Sequence, residues 1–130
     1  MTTARAVRRA LLLVEDEATL REPLRRYLEG AGFDVIEADS VDAAVALLDQ
    51  IAIAAAILDV RMPQGRSGLE VLQSIRLDAR WQDLPAIVLT GARLSEREEE
   101  LIRRDRAYVF YKPHGYDEIV AQLQRVLSQT

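Results

Sequence analysis

The sequence predicts an α/β protein: a parallel sheet of five strands with five helices. Three observations carry that expectation. Apolar runs of strand length alternate with segments of helical periodicity along the whole chain. Four of these runs end in a residue suited to phosphate or metal chemistry: Leu11 to Val14 leads into Glu15 and Asp16, Ala54 to Leu58 into Asp59, Ala86 to Leu89 into Thr90, and Tyr108 to Tyr111 into Lys112. Parallel strands joined by helices share one C-terminal edge, where open sheets of this class bind ligands, so these residues are expected in one crevice. Lys112 is also the only lysine among 17 basic residues, in a composition that otherwise uses arginine.

The elements follow in order. After the first strand, Leu20, Leu24, Tyr27, Leu28 and Ala31 recur at helical spacing and are expected to face inward, with Gly30 and Gly32 as the stop. Pro23 sits about one turn in, which predicts a late start or a kink near Thr19. Phe33, Val35 and Ile36 form a second strand, placed near an edge because Asp34 and Glu37 interleave. Ser40 caps a second helix that turns Val41, Ala44, Leu47 and Leu48 inward. The third strand, from Ala54 to Leu58, is almost wholly apolar and so belongs at the centre with both faces covered. A turn-rich loop from Met62 to Gly68 precedes a third helix with Leu69, Leu72 and Ile75 inward.

Leu84 and Pro85 lead into the fourth strand. Ser95 and Glu98 form a capping-box pattern that starts a fourth helix with an acidic first turn and a thin apolar face, chiefly Leu101 and Ile102. The last helix, from about Tyr116 to Ser128, buries Ile119, Leu123 and Val126. Trp81 is expected to cap the core, His114 to be structural or exposed, and the run from Glu96 to Glu100 to be a solvated face.

Composition sets the bounds. A chain of 130 residues, 49% hydrophobic, supports one domain with a real core. The ordered core is expected over about residues 9–127, with residues 1–4 a mobile tail. A net charge of −4 gives no basis for direct nucleic-acid binding, and the lack of cysteine removes disulfides and thiolate metal sites, which fits a cytoplasmic protein. Arg5, Arg8 and Arg9 before Ala10 to Val14 imitate a signal peptide, but the apolar run is short and stops at Glu15, Asp16 and Glu17. No segment is long enough to cross a membrane, and there is no internal repeat.

Carboxylates crowded at one sheet edge repel one another unless a cation offsets them. A hard divalent ion with oxygen ligands does so, and Mg²⁺ suits a site with few protein ligands and several retained waters. Asp16 and Asp59 are the expected direct ligands, with Glu15 close by or acting through water. Asp59, at the end of the central strand, is the nucleophile best placed to attack phosphorus and form an aspartyl phosphate. Phosphoryl transfer needs positioning and charge neutralisation, which Mg²⁺, the Lys112 ammonium and the Thr90 hydroxyl can supply. Each residue alone has a plain structural explanation, as a helix N-terminal acid, a turn or a surface lysine. Four such accidents at four of five strand ends are not expected.

With Glu15-Asp16, the Leu58-Asp59-Val60-Arg61-Met62-Pro63 block, Thr90-Gly91 and Lys112-Pro113 in this order, the chain resembles the receiver domain of bacterial two-component response regulators from about Arg9 to Leu127. The resemblance implies a doubly wound, flavodoxin-like sheet of order 2-1-3-4-5. It makes Asp59 the phospho-acceptor, Asp16 the principal metal carboxylate, Glu15 its accessory and the Arg61 backbone carbonyl a further ligand of Mg²⁺. Thr90 and Lys112 would bind the phosphoryl group. The implied partners are a sensor histidine kinase or phosphotransfer protein and an output partner or fused output domain; a homodimer is compatible. Such a domain catalyses its own phosphorylation and dephosphorylation without being a conventional enzyme.

Some positions depart from the family. Val109 stands where an aromatic is common, three residues before the lysine, so the usual coupling of threonine to aromatic is not expected in its ordinary form. Asp105-Arg106 replaces a usual Gly-Ala, the loop after Asp59 is one residue longer, and His114 replaces a common phenylalanine. Three other functions stand beside this one. A flavodoxin-like electron carrier would meet repulsion from Glu15, Asp16 and Glu17 at its flavin phosphate. A haloacid-dehalogenase-type phosphatase needs an aspartate where Arg61 stands. A degenerate receiver would keep the fold only as an interaction module.

Overall fold

Alternation along the strands builds the interior. In the computed structural model, which describes residues 8–91, 93–112 and 115–128, Leu11 and Leu13 of β1 (Ala10–Val14) point into one apolar cluster and Leu12 and Val14 into another. The same period of two runs through β3 (Ala55–Asp59) and β4 (Ala86–Thr90): Ile57, Ile87 and Leu89 lie on the first side, Ala56, Leu58 and Val88 on the second. Two buried sides demand helices on both, as expected of a parallel sheet. The five strands are all parallel, in the order β2-β1-β3-β4-β5.

The first cluster is closed by α1 (Ala18–Gly30) and α5 (Tyr116–Leu127), through Leu24, Leu28, Ile119 and Leu123. The second is closed by α2 (Val41–Gln50), α3 (Gly68–Leu77) and α4 (Glu96–Arg104), through Ala44, Leu48, Leu72, Ile75 and Ile102. A one-turn 3₁₀ segment, Pro63–Gly65, interrupts the loop after β3. The edge strands are β2 (Asp34–Ala38) and β5 (Tyr108–Tyr111), and both are more exposed than the central three. Among the described residues, no helix is long and apolar enough to cross a membrane. The expected mobile tail, His114 and Pro113 lie outside the described residues.

Most caps are as read. Ser40 accepts a hydrogen bond from the Ala43 N–H, and Ser95 with Glu98 closes a capping box. Another box, Ser67 with Glu70, starts α3. Two expectations for α1 are corrected. The helix begins at Ala18 and continues through Pro23, its sixth residue; the proline forfeits one bond, to the Thr19 carbonyl, and the burial of Leu24 and Leu28 just after it holds the helix together. Leu20 and Tyr27, expected inward, are each 43% exposed. The apolar stripe is centred on Leu24 and Leu28, which leaves Leu20 in the first turn by the sheet edge and Tyr27 on the flank, tilted against Tyr116.

Candidate functional site

Register and pleat explain which side chains meet. Val14 pairs with Leu58 across β1 and β3, so Glu15 follows as the neighbour of Asp59. Asp59 pairs with Leu89, and Leu89 with Phe110, so Lys112, two residues past Phe110, returns to the side that carries Asp59. Glu15, Asp59 and Lys112 therefore converge on the α1/α5 side. Lys112 Nζ donates to Glu15 Oε1 at 2.9 Å and to Asp59 Oδ2 at 3.3 Å. One carboxylate oxygen each of Glu15, Asp16 and Asp59 lies within 4.8 Å of the others.

Thr90 ends β4 with its neighbour in register, Tyr111, on the opposite side of the sheet, toward α4. It is fully buried, and its carbonyl accepts the Lys112 N–H at 2.8 Å. Val109 is on that side too, partly buried against the core. β5 runs without a bulge, so Tyr108 and Phe110 face away from Thr90 and the aromatic nearest in register to Thr90 is Tyr111.

Backbone contacts fix the acids. The Arg61 N–H donates to Asp59 Oδ1 at 3.3 Å and the Glu17 N–H to Glu15 Oε2 at 3.4 Å. Arg21 donates to the carbonyl oxygens of Glu15, at 2.7 Å, and Asp16, at 3.5 Å, bracing the turn after β1. Gly68 packs so tightly on β3 that a Cβ there would lie 1.9 Å from the Asp59 carbonyl oxygen.

Burial pushes the Glu15 carboxyl up to about 7; the bond from Lys112 works the other way, and the neighbouring Asp59 reinforces the rise. For Lys112, burial opposes the charge, but the bond to Glu15 and the two carboxylates raise its pKa overall, so it stays an ammonium. Three carboxyl groups thus cluster about one ammonium that pairs with two of them, an all-oxygen donor set with negative charge left over. That set fits a hard divalent cation such as Mg²⁺. Beneath the charged rim lies a cavity of about 360 Å³ with an apolar floor of Leu13, Leu24, Ile57 and Leu89.

The arrangement brings together Glu15, Asp16, Asp59 and Lys112 as expected, and sets Thr90 at the same edge through its backbone. Three contributors escaped the sequence reading. Arg21 carried no signal beyond being an arginine on α1. The role of Gly68 could have been found from the need for close approach where α3 starts. The third is the Arg61 side chain, which leaves the acids and pairs with Glu98 of α4.

Residues 11–124 match the family model described as the response regulator receiver domain. The phosphate regulon transcriptional regulatory protein PhoB of Klebsiella pneumoniae is 32% identical over 121 residues, 93% of this chain and 52% of that protein. The KDP operon transcriptional regulatory protein KdpE of Escherichia coli is 34% identical over 126 residues, 92% of this chain and 51% of that protein. The chain thus spans about half the length of the curated relatives it matches. Among solved structures, a response regulator receiver protein from Pseudomonas putida superposes with a TM-score of 0.82 at 30% identity, covering 93% of this chain and 99% of that one. The chemotaxis response regulator CheY4 of Vibrio cholerae gives 0.81 at 25% identity, covering 92% and 99%.

Proposed function

The chain belongs to the response regulator receiver domain family of two-component signal transduction, and from that premise we propose that it is activated by phosphorylation of Asp59. The donor is a sensor histidine kinase or a phosphotransfer protein. A carboxylate oxygen of Asp59 attacks the phosphorus of a phosphohistidine, the new O–P bond forms as the N–P bond breaks, and the imidazole leaves with the electron pair. Hydrolysis of the acyl phosphate returns the domain to rest.

One observation carries the reading. Asp59 ends the central strand with its side chain 11% exposed, one oxygen on the Lys112 ammonium and the other on the Arg61 N–H. Lys112 neutralises charge on the entering group, and the Thr90 hydroxyl binds a phosphoryl oxygen. Asp16, Asp59 and the Arg61 carbonyl would hold Mg²⁺, with Glu15 as accessory or through water. When bound, the ion offsets the charge of the acids and of the phosphoryl oxygens.

The whole chain is read as one cytoplasmic receiver unit with its ordered core over about residues 9–127. It acts on an output partner or a fused output domain, singly or as a homodimer, without itself contacting nucleic acid. A complete acid-and-lysine constellation disfavours a degenerate receiver, and the three acids after β1 disfavour a flavin phosphate. Intact-mass analysis after exposure to acetyl phosphate tests the proposal. Wild type should gain one phosphoryl group with Mg²⁺ and none in chelator, and Asp59→Asn should gain none. Undiminished labelling of Asp59→Asn would overturn it.

A further inference from the structure

Arg61 has two ends, each tied to a different part of the protein. Its N–H donates to Asp59 Oδ1 at 3.3 Å. Its guanidinium reaches the fourth helix, pairing through both terminal nitrogens with the two oxygens of Glu98, the longer contact at 3.3 Å, and donating to the Arg93 carbonyl at 3.2 Å. Glu98 is itself fixed: Oε1 accepts the Ser95 N–H at 2.8 Å, and its own N–H bonds Ser95 Oγ at 3.1 Å. A fork-on-fork contact between guanidinium and carboxylate holds orientation as well as charge. It does so where α4 is otherwise weakly held, since Ile102 is the only buried residue of the helix.

Resting on the phosphorylation proposed above, we propose that Arg61 and Glu98 form a latch that holds the first turn of α4 against the acceptor loop and opens when the guanidinium turns to the phosphoryl group. Converting the Asp59 carboxylate to an acyl phosphate exchanges one negative charge for about two, spread over three oxygens. That anion is formed two residues from Arg61 and competes with Glu98 for the same guanidinium, which suits phosphate as well as carboxylate. Glu98 then keeps its capping box but loses its tie to the loop, and the helix start is free to move.

Amide hydrogen exchange of α4 tests both halves. Glu98→Gln retains an oxygen for the Ser95 N–H and removes the charge; Arg61→Met keeps most of the stem and removes the guanidinium. Without Mg²⁺ or phosphodonor, each should speed exchange in α4 about threefold, the worth of a well-oriented but partly exposed ion pair. The double variant should do no more than either single one. Unchanged exchange in the single variants, or effects that add, would overturn the latch. In mass-verified phosphorylated wild type, α4 should exchange as fast as in Glu98→Gln, and phosphorylating Glu98→Gln should change α4 little. Equal increments in the two proteins would overturn the exchange of partners. A chain that never takes a phosphoryl group defeats the receiver function and the exchange of partners together, and the resting comparison then still decides the latch.

Discussion

Buried behind Lys112, Glu15 keeps its proton to about pH 7 in the metal-free fold, against 4.5 for an ordinary glutamate. The sign follows from linkage: a group whose folded pKa is raised adds stability that is fully present below its unfolded value and is lost as pH rises toward the folded one. Metal-free wild type should therefore lose of the order of 1–3 kcal/mol between about pH 4.5 and 7, and Glu15→Gln should flatten that slope. Urea titrations in chelator at several pH values measure it; an equally steep slope in both proteins would mean that Glu15 is not the group responsible. Gly68 makes a steric prediction. Because a Cβ would fall 1.9 Å from the Asp59 carbonyl oxygen, Gly68→Ala forces the start of α3 away from β3. A loss of about 1–3 kcal/mol and slower acetyl phosphate labelling are expected; an unchanged denaturation midpoint would show that the loop yields freely. Residue types at strand ends made the four principal site residues legible. Glu15 pairing directly with Lys112 was not, because it depends on both side chains reaching across the ends of β3 and β4, 97 positions apart in sequence.

Helices and strands were legible where one face is buried by a regular period, and less so at their margins. The central strands and the caps at Ser40 and Ser95 follow from local chemistry. The exposure of Leu20 and Tyr27 does not, since apolar spacing gives a stripe but not how far the sheet extends beneath it. The α4–β5 turn shows the cost of an unusual choice. Arg106 adopts φ 57°, a left-handed conformation that strains a side chain and favours glycine. Its guanidinium partly offsets this, donating to the Gln82 carbonyl at 2.8 Å. Arg106→Gly should raise stability by about 0.5–1 kcal/mol, read as a shift in urea midpoint at constant slope. A fall instead would mean that the bond to Gln82 outweighs the strain.

Across the molecule, two apolar clusters on either side of one sheet hold the strand ends in fixed register, while three carboxyl groups gather at the edge where those ends meet. The fold is thus stabilised by its interior and destabilised at its site, which a cation should relieve. Mg²⁺ should raise the melting temperature of wild type in proportion to RT ln(1 + [L]/Kd), about 2.7 kcal/mol at a hundredfold excess over Kd, and should do far less for Asp16→Asn; equal shifts in the two would remove Asp16 from the ligand set.

The proposed phosphorylation places the phosphoryl group on Asp59. Borohydride reduces an aspartyl phosphate to homoserine, so peptide mapping of protein treated with acetyl phosphate, Mg²⁺ and then borohydride reads the position directly. Homoserine at position 59 and at no other acidic residue is the predicted result. Reduction at Glu15 or Asp16, or a phosphoryl group that survives borohydride on a hydroxyl side chain, would contradict it.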